Sequence, residues 1–367
     1  MKIKKKIIIF MPSIEDGGVE KNFFHISNYL SKKFEEISII TISKKIKNKL
    51  NKKINLICFN NNFYDKIGRR KKFFLSLILL FIELIKNRNV LVISFQGNVY
   101  CAFICKLFFT KIIIRSNTSP SGWSQNFFKN YLYKLFYGLA DEIIVNSLIF
   151  KKELKKKFNL KSTCIYNPLN KNEIIKLSQK RNKNRFFKKN YLNIISVARL
   201  SNQKDHICIL KALVLLKHEI KFKALFIGSG ALNNYLLNFI RKNKLTKNVK
   251  IKKYVKNPYK YIKKSDLFIL SSKYEGLPNV ILEAISLKKF VISSNCPTGP
   301  KEILDSGKGG YLFKMGSEKD LVRKIKLFLN NRLKSKSIVE FAYKRLSHFD
   351  YNRNLYNYFY LIKKYIY

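Results

Sequence analysis

Short apolar runs, most of them about five residues long, recur along this chain between longer stretches that read as helical. Ile7–Met11, Ile37–Ile42, Val90–Phe95, Lys111–Arg115 and Glu142–Asn146 form a first series of expected strands. The stretch Lys171–Asn190 then holds no apolar run longer than two residues and is rich in lysine. A second series follows: Leu192–Val197, Lys223–Ile227, Val249–Lys252, Asp266–Ser271, Phe290–Ser293 and Gly310–Phe313. Strand-then-helix alternation predicts a parallel, doubly wound sheet, once on each side of the break. The chain therefore reads as an α/β protein with domains at 1–170 and 191–345, a linker at 171–190, and an aromatic, basic helix at 346–367. Ligands of such sheets sit at the carboxyl ends of the strands.

Composition narrows this frame. A chain of 367 residues can bury two cores, and 47% hydrophobic residues mark it as folded. Its 74 Lys and Arg against 22 Asp and Glu give a net charge of +52, dispersed along the whole length. Such charge fits an anionic partner (a membrane surface, a nucleic acid or a phosphorylated substrate) or the lysine-rich, isoleucine-rich usage of an AT-rich genome. The apolar run before Pro12 is five residues, which suits a first buried strand rather than a secretory signal. Phe73–Ile85, thirteen residues behind Arg69-Arg-Lys-Lys72, is too short to span a bilayer and reads as a core or interfacial helix. The six cysteines are scattered, so core thiols in a reducing cytoplasm are expected. No metal spacing, Asp-x-Asp pair or Gly-x-x-x-x-Gly-Lys-Ser/Thr loop is present, which argues against a metal site and a P-loop NTPase.

The stretch Glu275-Gly-Leu-Pro-Asn-Val-Ile-Leu-Glu283 carries the most chemistry. It follows an expected strand, and Pro278 suits a first helical turn, so Gly276, Leu277, Pro278, Asn279 and Val280 lie at a helix start, a natural anion site. A phosphate there would leave one carboxylate for a ribose diol and the other for a sugar; alternatively Glu275 caps the helix and Glu283 is solvated. Arg199 and Lys204 follow another expected strand, where two cations could hold two phosphates or be ordinary surface charge. Gly228-Ser-Gly230 lacks the third glycine of a dinucleotide fingerprint, since position 233 is Asn, and no acidic residue follows about twenty residues on, so a dehydrogenase is not expected. Gly17 and Gly18 end the first strand and would let backbone approach a ligand. The loop Arg115–Trp123, with Ser116 and Asn117, suits hydrogen bonding and stacking to a sugar or polar lipid head, or is a solvent loop.

Taken in order, Gly17-Gly-Val-Glu-Lys21, Ser196–Lys204, Gly228-Ser-Gly230, Tyr274–Glu283 and Thr298-Gly-Pro-Lys-Glu302 resemble the retaining glycosyltransferases of family 4. The resemblance covers nearly the whole chain and implies the GT-B fold, two Rossmann-like domains facing a central cleft, with the terminal helix crossing back to the first domain. It implies a nucleoside diphosphate sugar as donor, no metal ion or other cofactor, and retention of anomeric configuration. Arg199 and Lys204 would hold the diphosphate, Gly276 to Asn279 a phosphate or sugar hydroxyl, Glu283 the ribose and Glu275 the donor sugar. Gly228 and Gly230 would border the base, Thr298 to Pro300 the cleft wall, and Gly17 and Gly18 the transferred sugar and acceptor. Many members carry a histidine where Ser116 and Asn117 stand, and often a glycine where Lys252-Lys253-Tyr254 stands; these are departures. A UDP-hexose or UDP-N-acetylhexosamine is the expected donor, and a glycan or lipid-linked acceptor in cell-surface polysaccharide, lipopolysaccharide or glycoprotein-glycan synthesis the expected recipient. The enzyme is expected in the cytoplasm, peripheral on an anionic inner membrane face. Two rivals are a basic nucleic-acid-binding protein, against which stand the dispersed charge and missing modules, and a catalytically silent relative, against which stand Glu275 and Glu283.

Overall fold

The computed structural model describes residues 3–366 except 16, 60, 62, 121, 122, 124, 125 and 182–184, so Ser121 and Gly122 of the hydroxyl-rich loop lie outside the described residues. The chain forms two compact units, residues 1–168 with 351–367, and residues 169–350.

The first unit is built on strands β1 (Ile3–Phe10), β2 (Phe34–Ile40), β3 (Ile54–Ile57), β4 (Leu91–Ser94), β5 (Lys111–Arg115), β6 (Glu142–Val145) and β7 (Thr163–Cys164). They pair in parallel in the order β3-β2-β1-β4-β5-β6-β7. Alternate residues of β1 feed two cores. Ile7 and Ile9 pack with Phe23, Ile26 and Leu30 of the helix Gly18–Leu30 and with Leu355, Tyr358, Leu361 and Ile362 of the helix Tyr351–Lys364. Ile8 and Phe10 pack on the opposite face with the helices Arg69–Lys86, Asn98–Leu107 and Phe127–Gly138, through Leu80, Leu84, Cys101, Ala102, Cys105 and Tyr137. Burial on both faces is why these strands read as unbroken apolar runs.

The second unit holds β8 (Leu192–Val197), β9 (Phe222–Ile227), β10 (Val249–Lys252), β11 (Leu267–Leu270), β12 (Phe290–Ser294) and β13 (Tyr311–Phe313), parallel in the order β10-β9-β8-β11-β12-β13. The protein is thus an α/β protein of two Rossmann-like parallel-sheet domains.

Three expectations differ from this picture. β3 and β7, the two edges of the first sheet, are missing from the predicted series. An edge strand pairs on one side only, and β3 buries one of its four residues while β7 is two residues long, so neither leaves a continuous apolar run. The polar stretch 171–190 begins with a helix, Lys171–Ser178, that belongs to the second unit. It buries Ile174 and Ser178, and Asn257 Nδ2 donates to Leu177 O at 2.8 Å. One packed face needs only a few apolar residues, which composition reads as a linker. The apolar helix Arg69–Lys86 is core on one side only, as described below. No helix among the described residues is long and apolar enough to cross a membrane.

The C-terminal helix is tied to the first sheet by a buried cation. Arg115 ends β5 at 1% exposure, and its guanidinium donates to Tyr358 Oη (2.8 Å), Asn167 Oδ1 (2.7 Å) and Asn117 Oδ1, with the Phe95 ring centroid at 5.3 Å. Tyr358→Ala removes a buried ring and strips Arg115 of one partner, so the melting of the first unit should weaken by about 3–5 kcal/mol. Calorimetry checks this, with the second unit's transition as the internal reference.

Candidate active site

In the second sheet the strand order reverses between β8 and β11, and the loops leaving these two neighbours are where a doubly wound sheet binds its ligand. Arg199 and Lys204 leave β8, and Glu275 leaves β11. Lys204 Nζ and Glu275 Oε1 form an ion pair across the switch point, both side chains largely buried, and Ser272 Oγ donates to the same carboxylate oxygen at 2.6 Å. Further bonds lace the two loops together. Ser271 Oγ donates to Lys204 O at 2.8 Å and Asp205 O at 2.9 Å, and Gln203 Nε2 donates to Tyr274 O at 2.9 Å. Arg199 is exposed, and its side chain has no hydrogen-bond or ion-pair partner among the described residues.

The glycines explain how a third and a fourth loop close on the same place. A Cβ on Gly228 would stand 1.9 Å from Ala198 O, and one on Gly230 2.3 Å from Leu200 O. Only glycine lets the loop after β9 lie against the backbone on either side of Arg199. Gly299, at φ +89°, approaches Gly276 O so closely that a Cβ would stand 2.5 Å away, and Thr298 Oγ1 donates to Glu275 O. The loop after β12 therefore backs the Glu275–Pro278 turn.

The helix Asn279–Ser286 starts after Pro278, with Asn279 and Val280 half-buried and Leu277 buried. Glu283 is 4% exposed and accepts a hydrogen bond from Tyr259 Oη at 3.2 Å. This removes the alternative of a solvated Glu283, and Glu275, at 7% exposure and ion-paired, is not a simple cap. Tyr259 was not a sequence candidate, since nothing in its local pattern points to a carboxylate 24 positions away.

The first-unit candidates are engaged within their own unit. Gly17 precedes the helix Gly18–Leu30, and its N–H donates to Glu20 Oε2 at 2.9 Å; a Cβ on Gly17 would stand 2.7 Å from that oxygen. The Glu20 carboxylate therefore lies against the bare Cα of Gly17 and caps the start of this helix. Ser116 is buried with its Oγ 3.2 Å from Tyr137 Oη, and Asn117 Nδ2 donates to Phe95 O at 2.9 Å while its Oδ1 accepts from Arg115. Trp123 stacks on Phe158 at 5.4 Å between centroids and donates to Thr118 O at 2.7 Å, so its ring is part of the packing and not a free platform. Arg115, which organises Asn117, enters the sequence reading as the end of a strand and the first residue of the hydroxyl-rich loop, with no role of its own.

The sequence is recognised by the family of glycosyl transferases group 1 over residues 178–345. An uncharacterized glycosyltransferase of Methanocaldococcus jannaschii is 31% identical over 332 residues, 83% of this chain and 78% of that protein. A Campylobacter jejuni enzyme named N-acetylgalactosamine-N,N'-diacetylbacillosaminyl-diphospho-undecaprenol 4-alpha-N-acetylgalactosaminyltransferase is 27% identical over 361 residues, 94% of this chain and 96% of that one. Among solved structures, Anabaena HepE in complex with UDP and glucose superposes with a TM-score of 0.79 at 18% identity, covering 98% of this chain and 100% of that one. Two Rossmann-like domains with these relatives make the protein a glycosyltransferase of the GT-B fold. The chain belongs to the glycosyl transferases group 1 family.

Two predictions follow the geometry. Gly228→Ala should cost about 1–3 kcal/mol by forcing backbone apart, whereas Gly138→Ala, where a Cβ would meet a Leu160 methyl at 3.8 Å, should cost nothing measurable; denaturant titration compares them. His206, beside Lys204, is buried with both ring nitrogens unpartnered, and burial, aided by the Lys204 charge, pushes its pKa down from 6.5 to about 4. The unfolded chain takes up this proton first, so the contribution is complete above pH 6.5 and is lost as pH falls toward 4. Wild type should lose about 2 kcal/mol between pH 7 and pH 4.5 relative to His206→Leu, measured by melting at the two pH values.

Proposed function

We propose that this glycosyltransferase takes a sugar from a nucleoside diphosphate donor, with retention of configuration and no metal ion in the donor site, and passes it to a lipid-linked glycan. The observation that carries the reading is the buried Lys204–Glu275 ion pair at the switch point, with the exposed, unpartnered Arg199 on the loop that carries Lys204. A buried pair is costly to desolvate and is rarely kept for stability alone. In the ligand-free protein each group neutralises the other; a donor offers both better partners, diphosphate oxygens for Lys204 and sugar hydroxyls for Glu275.

Chemically, the bond between the anomeric carbon and the diphosphate oxygen breaks as the acceptor oxygen bonds to the same face. The acceptor proton passes to the departing phosphate oxygen, so no protein base is needed. Arg199 and Lys204 are fixed positive charges where negative charge develops, an arrangement that acts mainly on the transition state. Glu283, held by Tyr259, takes the ribose hydroxyls, and Gly228 and Gly230 bring backbone close to the base. A uridine diphosphate donor carrying a hexose or N-acetylhexosamine is the first choice. The Campylobacter jejuni relative acts, by its name, on a diphospho-undecaprenol-linked acceptor and matches nearly the full length of both chains, which supports a lipid-linked acceptor here. Such an acceptor places the enzyme at a bilayer surface.

Arg199→Ala should lower kcat by about 10²-fold with a much smaller change in donor affinity. Glu283→Ala, in protein that still melts cooperatively, should weaken donor binding by about tenfold or more. Calorimetric titration with donor and steady-state kinetics separate the two. Loss of affinity alone in Arg199→Ala, or unchanged affinity in Glu283→Ala, would remove the assigned role.

A further inference from the structure

The helices Arg69–Lys86, Asn98–Leu107 and Phe127–Gly138 lie on one face of the first sheet, their inner sides buried through Leu80 and Leu84, Cys101 and Cys105, and Tyr137. Each carries a second apolar stripe on its other side. On the first helix Phe74, Ile78, Phe81 and Ile85 are exposed. On the second, Tyr100, Phe103 and Leu107 are exposed, and on the third Phe128, Tyr131 and Leu135. These spacings of three, four and seven keep each set on one side of its helix. The stripes are neighbours, since Phe81 meets Phe108 at 5.0 Å and Phe103 meets Phe136 at 5.9 Å between centroids. Beyond the second helix stands Phe109, 91% exposed and at φ +55°, a backbone conformation that favours glycine. The Phe109 N–H bonds Lys106 O at 3.1 Å and the Thr110 N–H bonds Cys105 O at 2.9 Å, so this backbone closes the helix, and the ring it carries is left to solvent.

The charge around this face has one sign. Glu83 is the only acidic residue between Arg69 and Gly138, and it is bonded to Lys6 and Lys86. Arg70, Lys71, Arg88, Lys106, Lys129 and Lys134 are exposed on the same helices or just beyond their ends. A contiguous apolar area of this extent marks an interaction site. A second copy of the chain, itself at +52, would bring the same cations against these. An anionic bilayer complements both features, phosphates meeting the basic side chains while the aromatic and aliphatic rows enter the interface.

We propose that the outer face of these three helices, with Phe109 at its edge, is where the protein docks on anionic phospholipid. The proposal rests on the lipid-linked acceptor for its purpose only, and the contact is testable without donor or acceptor. The full-length protein is floated with vesicles of phosphatidylcholine alone and of phosphatidylcholine with phosphatidylglycerol. Wild type should float with the anionic vesicles and less as salt is raised. The double variants Phe74→Ser/Phe109→Ser and Arg70→Glu/Lys71→Glu should each lose about tenfold or more in vesicle affinity, while Tyr235→Ser, an exposed aromatic of the second unit, should not. Cooperative melting of the first unit, unchanged from wild type, reports that the face is still folded in each of these variants. Wild type that stays behind in solution, or variants of this face that float like wild type, would overturn the proposal. So would a wild-type dimer that Phe74→Ser/Phe109→Ser turns into a monomer, since a second copy would then own the face. Vesicle binding through this face, with no diphosphate raising the melting point, would sink the donor reading and leave the docking face standing.

Discussion

The second unit is organised around one constraint: a lysine and a glutamate from neighbouring loops must meet, largely out of water, at the carboxyl edge of a parallel sheet. Lys204 and Glu275 are 71 positions apart in the chain, and their meeting depends on β8 and β11 being adjacent. Removing one partner would leave a largely buried charge without its counter-ion, which costs several kcal/mol in proteins generally. The small and hydroxylated residues around the pair answer that need. Ser272 bonds the carboxylate, Ser271 holds the backbone that carries Lys204, and Thr298 holds the backbone that carries Glu275. The glycines at 228, 230 and 299 let three loops approach without side chains in the way. A bulkier set would fill the place that the proposed reading gives to a diphosphate and a sugar.

The first unit solves a different problem, how to keep polar groups buried beside an apolar sheet. Its answer is Arg115, whose guanidinium joins β5, the Asn117 loop and the C-terminal helix through Tyr358. No carboxylate among the described residues pairs with it, so the positive charge is satisfied by neutral oxygens and the Phe95 ring. The remaining cations of this very basic chain are mostly solvated, and their net effect is a surface field rather than a set of bonds.

How much of this is legible in the sequence follows from which signals are local. Five strands of the second sheet can be read from their apolar runs, because most of that sheet is buried on both sides; its edge strand β10, Val-Lys-Ile-Lys with one of four residues buried, shows only as an apolar-polar alternation. β3 and β7 cannot, because an edge strand needs little apolar content. Glu275, Gly276 and Glu283 stand out by motif, but their burial depends on Lys204 and Tyr259, and no pattern within a few residues of either carboxylate announces those partners. Gly228 and Gly230 look like an incomplete nucleotide fingerprint, and only the carbonyls of Ala198 and Leu200 show why no side chain fits. The run Phe73–Ile85 is visible as apolar, yet its division into an inner and an outer stripe becomes plain only once Leu80 and Leu84 are seen to face the sheet. Gly17 stands out as a Gly-Gly turn, but its hydrogen bond to the Glu20 carboxylate shows only in the structure.

The account rests on a nucleoside diphosphate replacing the Lys204–Glu275 pairing in the second unit. The most direct measurement is the melting temperature with UDP, GDP and ADP at equal concentration, in moderate salt with a chelator. The account predicts that one diphosphate, UDP first, raises the melting point in a concentration-dependent way while the others do little. Cooperative melting that none of the three shifts would contradict it.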